Sequence, residues 1–218
     1  MTLDIRGFIQ DERRNTIGTI KDTLTVPGMT PEQLAQHPVL YQTGMVMGPG
    51  RYTVKVVVRE NSTGLMGSFE TPVQVPDLST APVRVSSIVL STQLVQTPPT
   101  TKKSDNPLIH DGIQILPNLT HVVSKDQHLY FYYEVYDASG DAAPQLRTGL
   151  AFYRGRTKVF ETPVVERTSV DAADRHAAIF QFDVPASEFK TGLYTCQVNI
   201  VDEIAGKFAF PRLDMYVR

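Results

Sequence analysis

Few side chains in this sequence have the type and spacing to do chemistry. There is one thiol, Cys196, and there are five histidines: His37, His110, His121, His128 and His176. A cysteine nucleophile needs a nearby base and an exposed, electropositive setting. Cys196 instead alternates in phase with Tyr194, Val198 and Ile200, and reads as a small buried hydrophobe on the inward face of a strand. No two histidines stand two or four residues apart and no cysteine cluster accompanies them, so no compact metal site is expected. His110-Asp111 and His121, which flank one loop, come nearest to a ligand set. Asp137 and Asp141 share one turn, and Asp202 and Glu203 share another. Neither pair has the dense oxygen spacing of a Ca²⁺ loop, so ordinary turn chemistry is the expected reading. No Gly-x-Ser-x-Gly elbow, phosphate-cradling glycine loop or dinucleotide fingerprint occurs. These residues predict a protein that is not an enzyme and takes no cofactor and no metal.

Binding without catalysis has one better candidate. The run His128–Tyr136 alternates, with Leu129, Phe131, Tyr133 and Val135 on one face and His128, Tyr130, Tyr132, Glu134 and Tyr136 on the other. On an exposed sheet, Tyr130 and Tyr132 would stand about 7 Å apart and, with Tyr136, form a platform for sugar rings or an aromatic-rich protein surface. The structural alternative is a stripe covered by a neighbouring domain or by the polar, proline-rich Thr97–Pro107 loop.

The elements that would position these residues follow from a repeat. The stretch from Gly50 to Gly64, running on to Val75, recurs from Gly192 to Gly206, running on to Val217, at a constant offset of 142 (Gly50 to Gly192). The offset pairs Tyr52 with Tyr194, Val56 with Val198, Val58 with Ile200 and Glu60 with Asp202. Each copy reads as a β-hairpin: an alternating strand, a polar turn ending in glycine, and a returning strand. The Gly-x-Tyr entry matches a tyrosine corner, in which the hydroxyl bonds a nearby backbone group.

Elsewhere, Leu3–Ile9 and Ile17–Val26 predict a first hairpin, Thr30–Gln36 a short helix and Val39–Met47 a third strand. Further strands are expected over Val83–Val95, Gly112–Leu116, Leu150–Tyr153, Thr157–Val165 and Ala178–Val184. Pro76–Pro82 is the best domain boundary. The fold class expected is all-β, as two tandem immunoglobulin-like or fibronectin III-like β-sandwich modules: residues 1–76, with about five strands, then a linker over 77–83, then residues 84–218. The 218 residues are 41% hydrophobic and 20% charged, which supports real cores. A net charge of −2 supplies no basic field for nucleic acid. No apolar run approaches the roughly 20 residues of a membrane helix, and the first residues lack the pattern of a signal peptide.

With strands assigned, some of the wording is familiar. Gly48-Pro-Gly-Arg-Tyr52, Val57-Val-Arg-Glu-Asn61, Gly67-Ser-Phe69, Val75-Pro-Asp-Leu78 and Ser86-Ser-Ile-Val-Leu-Ser91 resemble the region that follows the von Willebrand factor A-related domain in secreted proteins of Acidobacteria. Tyr130–Asp137 is similar to that region too. The metal-binding Asp-x-Ser-x-Ser run of the A domain is lacking; Asp137-Ala-Ser-Gly140 comes nearest and is without its second serine. The resemblance implies an extracellular or periplasmic bacterial protein with a non-catalytic interaction or spacer role. Its partner would be an unidentified protein, with an upstream von Willebrand A-type domain as one candidate. The alternative reading is a carbohydrate-binding module using Tyr130, Tyr132 and Tyr136.

Overall fold

Alternating β-branched and polar residues, punctuated by Gly, Pro, Asp and Asn, favour strands joined by turns over helices. The computed structural model describes residues 1–26, 28, 39–97, 106–110, 112–136 and 143–218, and among them it is all-β. The only helical elements there are two three-residue 3-10 turns, Ala173–Arg175 and Ala186–Glu188. The expected helix at Thr30–Gln36 and the Asp137–Asp141 turn lie outside the described residues. The chain divides into two compact units, Met1–Asp77 and Leu78–Arg218.

The first unit is a four-stranded antiparallel sheet of β1 (Thr2–Asp11), β2 (Thr16–Thr25), β3 (Gly50–Glu60) and β4 (Met66–Val75) in the order β2-β1-β3-β4. Asp11 organises the β1–β2 turn: its Oδ1 accepts the amides of Arg13 at 2.9 Å and Asn15 at 2.8 Å, with Arg14 held at φ 65°. The strand expected at Val39–Met47 is not formed; residues 39–48 carry no strand. Apolar residues alone do not make a strand, because strand propensity depends on its tertiary surroundings.

In the second unit, β5 (Arg84–Val85), β6 (Val89–Gln96), β7 (Ile109–His110), β8 (Ile113–Pro117), β9 (Val122–Val123) and β10 (His128–Tyr136) come first. They are followed by β11 (Leu146–Arg154), β12 (Thr157–Glu161), β13 (Val165–Arg167), β14 (Ala177–Pro185), β15 (Gly192–Asp202), β16 (Lys207–Ala209) and β17 (Arg212–Val217). One sheet runs β14-β10-β6-β8-β7, with β5 beside β10. The other runs β12-β11-β15-β17-β9, with β13 beside β11 and β16 beside β15. The continuous strand expected over Thr157–Val165 is broken at Thr162-Pro163-Val164, where the Thr162 hydroxyl accepts the Leu150 amide at 2.9 Å.

Inward residues of both sheets form one buried cluster. Leu129, Phe131, Tyr133 and Val135 of β10 and Phe180 of β14 meet Leu150 and Phe152 of β11 and Cys196, Val198 and Ile200 of β15. Phe131 and Phe152 pack edge to face at 5.6 Å, and Tyr133 stacks on Phe180 at 5.3 Å. The Tyr133 and Thr148 hydroxyls share a hydrogen bond across the core. A second cluster, including Leu108, Ile115, Tyr132, Ala177 and Ile179, covers the outer side of β10.

Candidate interaction face

The repeat seen in the sequence is also a repeat of strand register. Gly50 pairs with Val75, Tyr52 with Val73, and Lys55 with Glu70; 142 residues later Gly192 pairs with Val217, Tyr194 with Met215, and Gln197 with Arg212. The Tyr52 hydroxyl donates to the Gly48 carbonyl at 2.8 Å, and the Tyr194 hydroxyl donates to the Lys190 carbonyl at 2.8 Å. The turns match as well. The Glu60 carboxylate accepts the amides of Ser62 and Thr63, and the Asp202 carboxylate accepts those of Ile204 and Ala205. Gly64 and Gly206 close these turns at φ 73° and 63°, where a β-carbon would be strained.

The repeat extends beyond the hairpin. Ile5 faces Val58, Gly7 faces Val56 and Ile9 faces Val54; in the second unit Thr148 faces Ile200, Leu150 faces Val198 and Phe152 faces Cys196. β1 therefore corresponds to β11, here with an offset of 143 (Ile9 to Phe152). Both strands carry a register shift at the same place, between Ile9 and Gln10 and between Phe152 and Tyr153. β2 occupies the position of β12 and β13: Leu24 pairs with Leu3 as Arg167 pairs with Leu146. The four-stranded sheet of the first unit is thus a copy of β12/β13-β11-β15-β17.

The two copies differ in what lies over their apolar side. Cys196, Val198 and Ile200 are each 0% exposed, beneath β10 and β14. Their counterparts Val54, Val56 and Val58 are only half-buried, and Phe69, which shares their face, is 66% exposed. Cover is partial. Ile5 and Ile9 are 3% exposed, and the strap over residues 39–48 lies toward β2, where the Tyr41 hydroxyl donates to Asp22 at 3.1 Å. Met45 fills the space over Gly18, so that a β-carbon there would meet its sulfur at 2.6 Å. Among the described residues no buried apolar cluster forms in the first unit, and no strand pairs with the outer edge of β4. Pro72 and Glu70 in β4 suit such an edge.

The tyrosine stripe has a different character from the exposed platform expected of it. Tyr132 is 3% exposed, and its hydroxyl meets both the Pro107 carbonyl, at 2.9 Å, and Glu134. Glu134, 1% exposed, also receives Arg175 through Nε at 2.9 Å and Nη2 at 2.6 Å. Burial raises the Glu134 pKa, but hydrogen bonds from Arg175 and Tyr132 outweigh it and hold the carboxyl below its usual range. Burial, then the Glu134 charge, pushes the Tyr136 phenol up to about 12. Tyr130 alone is left beside His128, stacked at 6.2 Å, with the His128 ring 2.7 Å from Asp183. The stripe therefore supplies no row of free tyrosine faces, because the second cluster and Arg175 cover it.

The remaining candidates are structural. Cys196 is fully buried, and burial pushes its thiol up, away from the reactive thiolate. His121 meets the Asp214 carbonyl at 2.9 Å, and His176 caps a 3-10 turn at φ 48°. His37 and Asp111 lie outside the described residues. Among the described residues no group of three or more His, Cys, Asp or Glu could hold a metal ion, and no helix is long and apolar enough to cross a membrane. A groove of about 450 Å³ lies at the β12–β13 break. Its charged side chains are already engaged, Arg147 with Glu166 and Glu203, and Glu161 with Lys158.

Neither Arg175 nor the partly covered apolar face was legible as a site beforehand. Arg175 stands 41 residues from Glu134, so no local spacing links them. The face could have been suspected from the repeat itself, since a duplicated apolar strand requires a duplicated cover. No family model matches the chain, and no curated protein matches it.

Proposed function

We propose that this chain is a non-catalytic protein-interaction region of an exported bacterial protein, built on two immunoglobulin-like units in tandem. The observation that carries this reading is the copied sheet whose apolar face is covered in one unit and half-open in the other. Apolar surface left open to solvent in a contiguous patch marks an interaction site. The two packed sheets of the second unit and the paired tyrosine corners support the immunoglobulin-like assignment. Export, and a von Willebrand A-type domain as candidate neighbour, rest on the resemblance of Gly48–Tyr52, Val57–Asn61 and Ser86–Ser91 to the region that follows such domains. A spacer role is compatible with the same architecture. The glycan-binding alternative is supported less, because Tyr132 is buried and Tyr136 lies against Glu134.

Site-specific photocrosslinking tests the reading. A photoreactive residue placed at Val56 reports on the apolar face, and one at Val57 on the opposite face. In the exported fraction of the source cells, protein adducts are expected at 56 and not at 57. No adduct at either position, together with turnover in a broad hydrolase screen, would contradict it.

A further inference from the structure

The copied sheets also differ on their outer sides. In the first unit Arg6 of β1 and Lys21 of β2 face each other across the ladder. The offset of 143 that links β1 with β11, and β2 with β12 and β13, gives these two places to Gly149 and Val164 in the second unit. The groove of about 450 Å³ lies where those long side chains are replaced by small ones. It is lined by Gly149, Pro163, Val164, Asn199 and Val201. The backbone does not require glycine at 149, which has no positive φ. A β-carbon there would meet the Thr162 hydroxyl at 3.5 Å and the Pro163 carbonyl at 3.6 Å, both ordinary contacts. A glycine inside a strand weakens it and marks a place where another group approaches closely. Beside the groove stands a projection. Phe208 of β16 is opposite Val201 of β15, is 61% exposed and packs on Phe210 at 5.4 Å. Val164, Val201 and Phe210 are exposed too, so groove and projection belong to one apolar patch.

The rim charges point to the partner. Three cations, Arg147, Lys158 and Arg212, share the rim with three carboxylates, Glu161, Glu166 and Glu203. Such a rim selects neither an acidic nor a basic surface, and it meets its own copy without net repulsion. A two-fold interface needs a patch that complements itself. This face carries both halves, an aromatic projection and a groove next to it. We infer that the second unit pairs with a second copy of this chain about a two-fold axis on this face, with Phe208 of each copy seated over the partner's Gly149. This surface is separate from the face of the first unit that carries the interaction reading, and either can fail without the other.

Sedimentation equilibrium of the full chain tests this. A dimer with a Kd of about 10–100 μM is expected, as for a small interface with an apolar centre and a polar rim. Phe208→Ser removes the projection, and Gly149→Val fills the groove with a strand-favouring side chain. Each should weaken the dimer by at least about tenfold while amide exchange in β11 and β15 stays native. The two variants mixed should associate more tightly than either alone, because the mixed pair keeps one intact Phe208 and one open groove. Leu119→Ser, which removes an exposed apolar side chain from the turn before β9, should leave the dimer unchanged. A chain that stays monomeric over this range would overturn the inference, as would a mixture no tighter than its components. So would a dimer that survives both Phe208→Ser and Gly149→Val, or one that Leu119→Ser or Val56→Asp dissociates.

Discussion

The sheet of β1–β4 and the sheet of β11, β12, β13, β15 and β17 share register, bulge position, tyrosine bond and turn. They differ in burial. Val198 is sealed beneath a second sheet, whereas Val56, its counterpart, is only partly buried. Local sequence is enough to set pairing: alternation chooses the strand, Gly64 or Gly206 closes the turn, and a carboxylate at Glu60 or Asp202 gathers the turn amides. Stability comes from another source, the apolar area removed from water by whatever lies opposite. Hairpins of matching register can therefore differ severalfold in what each core residue contributes.

The largest contrast is expected at the second sheet of the second unit, which has no counterpart among the described residues of the first. Arg175→Met leaves the Glu134 carboxylate 1% exposed without its cation. Loss of one partner of a buried pair costs about 3–5 kcal/mol, here toward the lower figure because Arg175 itself reaches solvent. Chemical denaturation should show the second unit unfolding earlier and the first unchanged. The loss should also make the second unit more sensitive to acid. Glu134 has a lowered pKa, so its stabilisation is present above the ordinary carboxylate range and fades as pH falls through the folded value.

Next in size is the matched truncation. Val198→Ala should cost about 2–3 kcal/mol in the second unit and Val56→Ala under about 1 kcal/mol in the first, read by residue-resolved hydrogen exchange. Equal losses would mean that both faces are equally covered. Smaller again is the tyrosine pair. Tyr194→Phe removes a part-buried bond and should cost about 1 kcal/mol, while Tyr52→Phe, at the surface, should cost about 0.5 kcal/mol or less.

The smallest effect concerns a turn. Hydrogen bonds from Ser62 and Thr63, side chains first and then amides, bring the Glu60 carboxyl down from 4.5 to about 2. Its support of the turn should be complete above pH 4.5 and lost as pH falls through about 2. An NMR titration of Glu60 should therefore show a midpoint near 2, and Glu60→Gln should loosen Ser62 and Thr63 without moving β1.

Much of the all-β architecture could be read beforehand, because it depends on local pattern. The Gly50 and Gly192 hairpins align without a gap, and His128–Tyr136 forms a strand with the bounds that its alternation implies. The copy of β1 in β11 was hidden because Gly7 answers to Leu150 and Ile9 to Phe152, so position is kept while residue type is not. Alternation assigned Tyr132 and Glu134 to the outer side of β10 correctly, but it cannot reveal that a second cluster and Arg175 lie over that side. Val39–Met47 has the composition of a strand but forms none, an outcome set by tertiary surroundings that no local pattern reports.

One pair of thiols tests the central contrast directly. Val54 is the positional counterpart of Cys196, the chain's only native thiol. In the Val54→Cys variant, alkylation by a maleimide under native conditions should be at least about 100-fold faster at position 54 than at Cys196, because a buried thiol reacts only after opening. Equal protection of the two thiols would show that the face of the first unit is as fully covered as that of the second, and would contradict the account.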